Sequence, residues 1–258
     1  MAIEVTKSNG ILTLEFNRIE RKNAITSAMY QTLADALNAA QGDNEVRAIL
    51  LTGKPEVFTA GNDLEDFMKT TATYTGAFAD RPVFQFMRAL SGSAKPVVAA
   101  VGGLAIGIGT TLLMHCDLVY AGDSAKFSVP FSQLGLCPEF GSSLLMPLAG
   151  GHARAAEKLM LGEPFTAQEA YDMGIVSKVV PAAEVLEHAR NQALKLVALP
   201  AGSIRTTKRL MTSTRKAQLE AVIAEESKLF FEMLQGAEAK EAFTAFFEKR
   251  KPDFSKFA

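Results

Sequence analysis

The chain opens with two stretches of alternating apolar and polar residues, Ile3–Lys7 and Ile11–Phe16, which predict a pair of half-buried strands. Asn9-Gly10 between them is a hairpin signal, because both residues tolerate the positive φ that a tight turn needs. From Ser27 to Gln41 the period becomes helical, with Leu33, Leu37 and Ala40 on one face. Val46–Thr52, Pro96–Val101 and Asp117–Ala121 are near-continuous apolar runs and read as strands covered on both faces. Such runs separated by helices predict an α/β architecture with a mostly parallel sheet. Leu64–Ala94 is polar and then aromatic (Tyr74, Phe78, Phe84, Phe86), the pattern of a helical or mobile cover. Beyond Gly141 the pattern is almost entirely helical. Thr166 and Glu169 form a capping box, and Gln218–Lys249 carries its Leu, Ile and Phe in two helical segments. The sequence shows no internal repeat and no low-complexity linker.

Two small-residue turns stand out, Ala60-Gly61-Asn62-Asp63-Leu64 and Gly102–Gly109. Each follows an apolar run and opens into a helical pattern. That arrangement can aim unpaired backbone N–H groups at one point, as an enzyme must to hold an enolate or tetrahedral oxyanion. The residues alone allow plainer roles: Asn62-Asp63 as a helix cap, and the glycines for close packing.

The bulk properties remove several classes. At 258 residues the chain fits one extended domain, or a domain with a small appendage. It is 48% hydrophobic and 21% charged, and its net charge of −1 gives no broad attraction to nucleic acid or an anionic membrane. Met1–Gly10 has neither a signal-peptide core nor a transit pattern. The longest apolar run, Pro96–Met114, is broken by glycines and by Thr110-Thr111, so it reads as core and not as a membrane span. Lys256-Phe257-Ala258 is not the peroxisomal address. Two cysteines, Cys116 and Cys137, build no disulfide framework, so a cytoplasmic setting is expected. His115, His152 and His188 lack zinc-ligand spacing and read as one core and two surface residues. No P-loop or Gly-x-Ser-x-Gly elbow occurs, and the second turn lacks the acidic partner of a dinucleotide fingerprint. Neither a metal nor a separate cofactor is expected.

At this point the chain resembles the crotonase superfamily, the enoyl-CoA hydratases and isomerases. Phe58–Leu64 is similar to its first turn, and Lys95–Gly103 with Gly107-Ile108-Gly109 to its second. Phe127–Gly141, Gly174-Ile175-Val176 and the tail Phe246–Lys251 also fit, in order along the chain. The resemblance implies stacked ββα units (a ClpP-like fold). It implies a core over residues 1–200 and a helical oligomerisation region over 201–258, built for trimers or dimers of trimers. It also implies a coenzyme A thioester as substrate, with the N–H groups of Asn62 and Ile108 as oxyanion donors. Gly61, Asp63, Leu64, Gly107, Gly109, Thr111, Phe131 and Leu136 would line the substrate. Backbone groups near Ala60 and Asn62 would hold pantetheine and adenine, Arg21 or Lys22 the phosphates, and Phe246 and Lys249 of an adjacent subunit the nucleotide. The lysine frequent in this superfamily near that stretch is Glu20 here.

The hydratases of the superfamily use two glutamates, and the matching positions here are Thr111 and Phe131. Neither can act as a carboxylate base; Thr111 retains only the capacity to orient a water. Instead Pro138-Glu139-Phe140-Gly141-Ser142-Ser143 is similar to the segment that carries the single base of the Δ3,Δ2-enoyl-CoA isomerases. One carboxylate suffices to move a proton from C2 to C4 of a 3-enoyl thioester. Apolar neighbours, Leu136, Cys137, Phe140 and Phe131, are expected to raise the Glu139 pKa by desolvation. Glu139 as a simple helix-dipole partner is the plainer reading. A hydratase, or another crotonase-type reaction on a different acyl-CoA, is the alternative enzyme, and a catalytically silent acyl-CoA-binding protein the alternative of another class.

Overall fold

The computed structural model describes residues 1–73, 75 and 77–257. Tyr74 and Ala258 lie outside the described residues.

The first sheet contains six strands: β1 (Ile3–Ser8), β2 (Ile11–Phe16), β3 (Ala48–Thr52), β5 (Val97–Val101), β7 (Leu118–Gly122) and β10 (Lys178–Val180), in that spatial order. The β1–β2 pair is antiparallel and every later pair is parallel. Asn9 and Gly10 take φ of 51° and 78°, the two positive values a two-residue hairpin turn requires. All residues of β3 and β5 are buried, as their unbroken apolar sequences predict. Successive residues face opposite sides. Ile49 and Leu51 enter the main core, whereas Ala48 and Leu50 pack with Val98, Ala189 and Ala193 beneath helix α8 (Val185–Ala198).

A second sheet, absent from the strand pattern read in the sequence, contains β4 (Val57–Thr59), β6 (Leu104–Ile106), β8 (Lys126–Ser128) and β9 (Phe165–Thr166). The β4–β6 and β6–β8 pairs are parallel, and β8–β9 is antiparallel. A repeat thus exists in structure without one in sequence. β3 and β4 lead to α2 (Leu64–Thr73) and α3 (Pro82–Ser91). β5 and β6 lead to the one-turn helix α4 (Ile108–Thr111), and β7 and β8 to α5 (Ser142–Gly150). Each unit places one strand in each sheet and then a helix, the ββα arrangement expected.

Helix α1 (Ser27–Gly42) starts at Thr26, whose hydroxyl caps the Met29 N–H, and buries Leu33, Leu37 and Ala40 as its periodicity predicts. Within Leu64–Ala94, Leu64–Thr73 and Pro82–Ser91 are helices, and α3 buries Phe84 and Phe86 against the core. The remaining helices are α6 (His152–Leu161), α7 (Ala167–Asp172), α9 (Ala201–Ser213), α10 (Lys216–Leu234) and α11 (Ala237–Phe247). Both halves of the Thr166–Glu169 capping box form at the start of α7. The expectation of an almost wholly helical stretch after Gly141 is corrected by β9 and β10, each too short to carry a periodic signal. Of the histidines, His152 is exposed, His188 sits edge-on to Tyr120, and His115 stacks on Phe140.

Candidate active site

The second sheet explains why the two turns meet. β4 and β6 are parallel neighbours, so the chain leaves both at the same edge, and α2 and α4 both begin there. Their approach is close enough to demand glycine. Gly61 has φ +85°, and a Cβ on it would sit 2.6 Å from the Ile106 carbonyl oxygen. Gly107, at φ 57° and ψ −121°, has a conformation open to glycine alone.

The first turn is fixed by backbone bonds on both sides of Asn62. The Ala60 N–H donates to the Lys22 carbonyl, the Ile25 N–H to Gly61, and the Asp63 N–H to Ile25. The Asn62 N–H has no acceptor among the described residues. The Ile108 N–H has none either, because Ile108 is the first residue of α4, while the Gly107 N–H donates to Ser128. The Asn62 side chain is anchored as well: the buried Tyr30 hydroxyl donates to its Oδ1 at 2.5 Å. Burial, with the nearby carboxylates of Glu139 and Asp66, holds the Tyr30 phenol well above its ordinary pKa, so it remains a donor.

Asp63 serves the scaffold. Its Oδ1 accepts from the Asp66 N–H at 3.0 Å, capping α2, and its Oδ2 accepts from Arg18 at 2.7 Å. Burial opposes ionisation, but these two donors outweigh it and hold the carboxyl below its ordinary value. Both side-chain oxygens are thus engaged within the fold. The cap foreseen for Asn62-Asp63 exists at Asp63, while the Asn62 N–H remains open.

Glu139 lies in the loop before α5 and is 6% exposed. Burial is the main influence on it and pushes its pKa up to about 8; the Thr111 hydroxyl bond lowers it and the Glu226 carboxylate raises it. Thr111, expected to orient a water or touch substrate, instead donates its hydroxyl to Glu139 Oε1. Oε2 has no hydrogen-bond partner among the described residues.

Asn62 and Glu139 line one narrow cavity of about 20 Å³, which Ile108 does not line. Its other walls are Ser227 and the apolar Phe67, Val83, Phe84, Met87, Phe230 and Phe231, from α2, α3 and α10. The apolar walls of the cavity thus come from α2, α3 and α10, while the loop neighbours Leu136 and Phe140 and the nearby Phe131 are buried outside it. The Phe131 ring lies edge-on behind Phe230 at 6.3 Å. A second cavity of about 110 Å³ shares Asn62, Phe67, Val83 and Phe231 and extends past Tyr30. A larger one, about 460 Å³, lies between α9 and the N-terminal ends of β5 and β7 and contains neither turn nor Glu139.

The expected nucleotide contacts are not assembled within one chain. Arg21 is exposed and reaches Glu65 at 3.4 Å; Lys22 is exposed, and its carbonyl holds Ala60. Phe246 is 60% exposed near the end of α11, and Lys249 follows it in a left-handed conformation. Gly109 is buried in α4, and Leu64 begins α2 against the core. Among the described residues no three His, Cys, Asp or Glu side chains group as a metal site, and no helix is long and apolar enough to cross a membrane. Sequence reasoning singled out none of Tyr30, Phe67, Val83, Met87 and Phe230, because an apolar or aromatic side chain in a helical pattern carries no signal that separates cavity lining from core.

Residues 6–256 match the profile of the enoyl-CoA hydratase/isomerase family. The chain belongs to that family. Its similarity runs to members named for different reactions. It is 39% identical over 229 residues to rat (Rattus norvegicus) enoyl-CoA delta isomerase 2, covering 87% of this chain and 58% of that longer protein. It is 32% identical over 250 residues to 2,3-dehydroadipyl-CoA hydratase of Escherichia coli K12, with 97% of each chain covered. Among solved structures, an enoyl-CoA hydratase/isomerase from Pseudoalteromonas atlantica T6c superposes with a TM-score of 0.92 at 40% identity, over 99% of this chain and 100% of that one. The fold is the crotonase fold, and the chemistry belongs to the enoyl-CoA hydratase/isomerase type.

Proposed function

We propose that this enzyme converts 3-enoyl-CoA to trans-2-enoyl-CoA, with Glu139 as the single acid/base. The observation that carries the reading is the solitary carboxylate: Glu139 shares its cavity with Asn62, one serine and six apolar side chains, and no second acid. In this mechanism the thioester oxygen accepts hydrogen bonds from the Asn62 and Ile108 N–H groups. Glu139 removes a C2 proton, the dienolate charge rests on that oxygen, and the same carboxyl returns the proton at C4. A carboxyl with a pKa of about 8 suits both halves, since it neither holds nor releases a proton irreversibly near neutral pH. Thr111 steadies Oε1 and leaves Oε2 for the proton. Hydration requires an acid and an activated water, and the positions of the two hydratase glutamates hold a threonine already bonded to Glu139 and a buried phenylalanine.

Coenzyme A enters as part of the substrate, and the reaction calls on no separate cofactor or metal. The proposed assembly through residues 201–258 draws support from apolar side chains exposed there, including Met211 at 63%, Phe246 at 60% and Phe247 at 45%. It would bring Phe246 and Lys249 to a neighbouring site. The test of function is a direct comparison of substrates: 3-enoyl-CoA should be conjugated, and 2-enoyl-CoA should not be hydrated at a comparable kcat/KM. Hydration without isomerisation would overturn the proposal in favour of the hydratase reading.

A further inference from the structure

The loop that carries Glu139 has a backbone that must be held in place. Phe140 sits at φ +57°, unfavourable for a residue with a side chain, and Gly141 follows at φ +75°. Gly141 is also the N-cap of α5 and has no side chain with which to satisfy the unpaired N–H groups of that helix's first turn. The acceptor comes from far along the chain. Glu226 of α10, itself buried at 6% exposure, accepts from the Gly141 N–H with Oε2 at 2.5 Å. Its Oε1 accepts from the Ser143 N–H at 2.9 Å and from the Ser143 hydroxyl at 2.5 Å. Both oxygens of one carboxylate are thus matched to two backbone donors immediately beyond Glu139.

The same helix presses on the loop elsewhere. A Cβ on Gly141 would overlap Leu219, and Ser227 and Phe230 line the Glu139 cavity. On the other side the His115 Nε2–H donates to the Phe140 carbonyl at 2.8 Å, its ring stacked on Phe140 with centroids 3.8 Å apart. Burial depresses that histidine to about 4, so it stays neutral.

We infer that Glu226 is a positioning residue, whose carboxylate holds the Gly141–Ser143 backbone so that Glu139 faces the cavity it shares with Asn62. This rests on the reading of Glu139 as the base. Glu226 also acts at a distance, since its negative charge favours the protonated form of Glu139. The other titratable groups around the pair are Tyr30 from α1, Cys137 on the loop, Glu225 beside Glu226, and His115 behind Phe140.

The decisive experiment is Glu226→Gln on the full-length enzyme. A glutamine keeps the shape but must turn its NH2 toward one of the two backbone donors, breaking a bond and removing the charge. Three quantities are read: kcat, KM, and the protonation midpoint of the Glu139 carboxyl by infrared titration, assigned through the band lost in Glu139→Gln. E226Q should remain folded by circular dichroism and lose about tenfold or more in kcat with KM within about twofold, as when a reacting group is displaced. The Glu139 midpoint should fall by about half a pH unit or more, because a like charge is gone. Ser143→Ala, which deletes one of the three bonds, should move kcat and the midpoint the same way by less, and it decides the matter if E226Q fails to fold. A folded E226Q, or failing it S143A, with unchanged kcat and unchanged midpoint overturns the inference; so does a loss confined to KM. If Glu139→Gln keeps wild-type turnover, the reading of Glu139 as base falls, while a midpoint displaced in E226Q still supports Glu226 as the residue that positions this loop.

Discussion

A buried carboxyl with a raised pKa has a thermodynamic consequence that can be measured without any substrate. Glu139 titrates near 4.5 in the unfolded chain and at about 8 in the folded one. Between those values the native state retains a proton on Glu139 that the unfolded state has released, so the contribution of this group to stability must fall as pH rises through that window and then level off above the folded pKa. At about 1.4 kcal/mol per pH unit, the full window corresponds to a ceiling of about 5 kcal/mol. Water reaching the open Oε2 reduces this, and about 1–3 kcal/mol is the expected yield. Glu139→Gln abolishes the titration and retains an acceptor for the Thr111 hydroxyl. The stability of E139Q relative to wild type should therefore climb steadily from pH 5 to pH 8.5. The assay is guanidinium unfolding at fixed protein concentration across that range, because any assembly would couple stability to concentration. Parallel stability curves for the two proteins would refute the premise that burial of this carboxyl costs the fold anything.

Thr111→Val removes a donor that favours the Glu139 carboxylate, so the rise of kcat/KM with pH should move to higher pH, with a loss of about three- to tenfold at pH 7 in initial-rate assays. Tyr30→Phe deletes the bond to Asn62 Oδ1; kcat should drop by up to about tenfold and calorimetry should show about 1 kcal/mol of destabilisation. Gly61→Ala sets a methyl group 2.6 Å from the Ile106 oxygen at φ +85°, and should cost at least about 2 kcal/mol in denaturant titration as well as most of the activity.

What the sequence reveals follows from the range of each interaction. The Asn9-Gly10 hairpin, the Thr166–Glu169 box and the buried strands Ala48–Thr52 and Val97–Val101 are written in neighbouring residues, and each forms. The second sheet escapes because Val57–Thr59, Leu104–Ile106 and Lys126–Ser128 have three residues each, too few for a period, and two of them adjoin the glycine turns that dominate the local reading. Yet that sheet is what sets Asn62 beside the second turn. The candidate base was legible because Glu139 stands in a motif. Its surroundings were not, since Phe230 and Glu226 reach it from more than eighty residues away, Glu226 through backbone donors that leave no mark on side-chain pattern. Thr111 was legible as a departure from the two-glutamate pattern, but its bond to Glu139 required the fold.

The central question is whether a single buried carboxyl moves the proton. Initial rates of conjugation of a 3-enoyl-CoA thioester by wild type and Glu139→Gln, with the folded state of both verified, test this most directly. The prediction is turnover by wild type with no 3-hydroxyacyl product, and a loss of about a hundredfold or more in kcat for E139Q, the scale of a removed general base. Wild-type turnover by E139Q, or a wild-type enzyme that hydrates 2-enoyl-CoA and leaves the 3-enoyl isomer untouched, would contradict it.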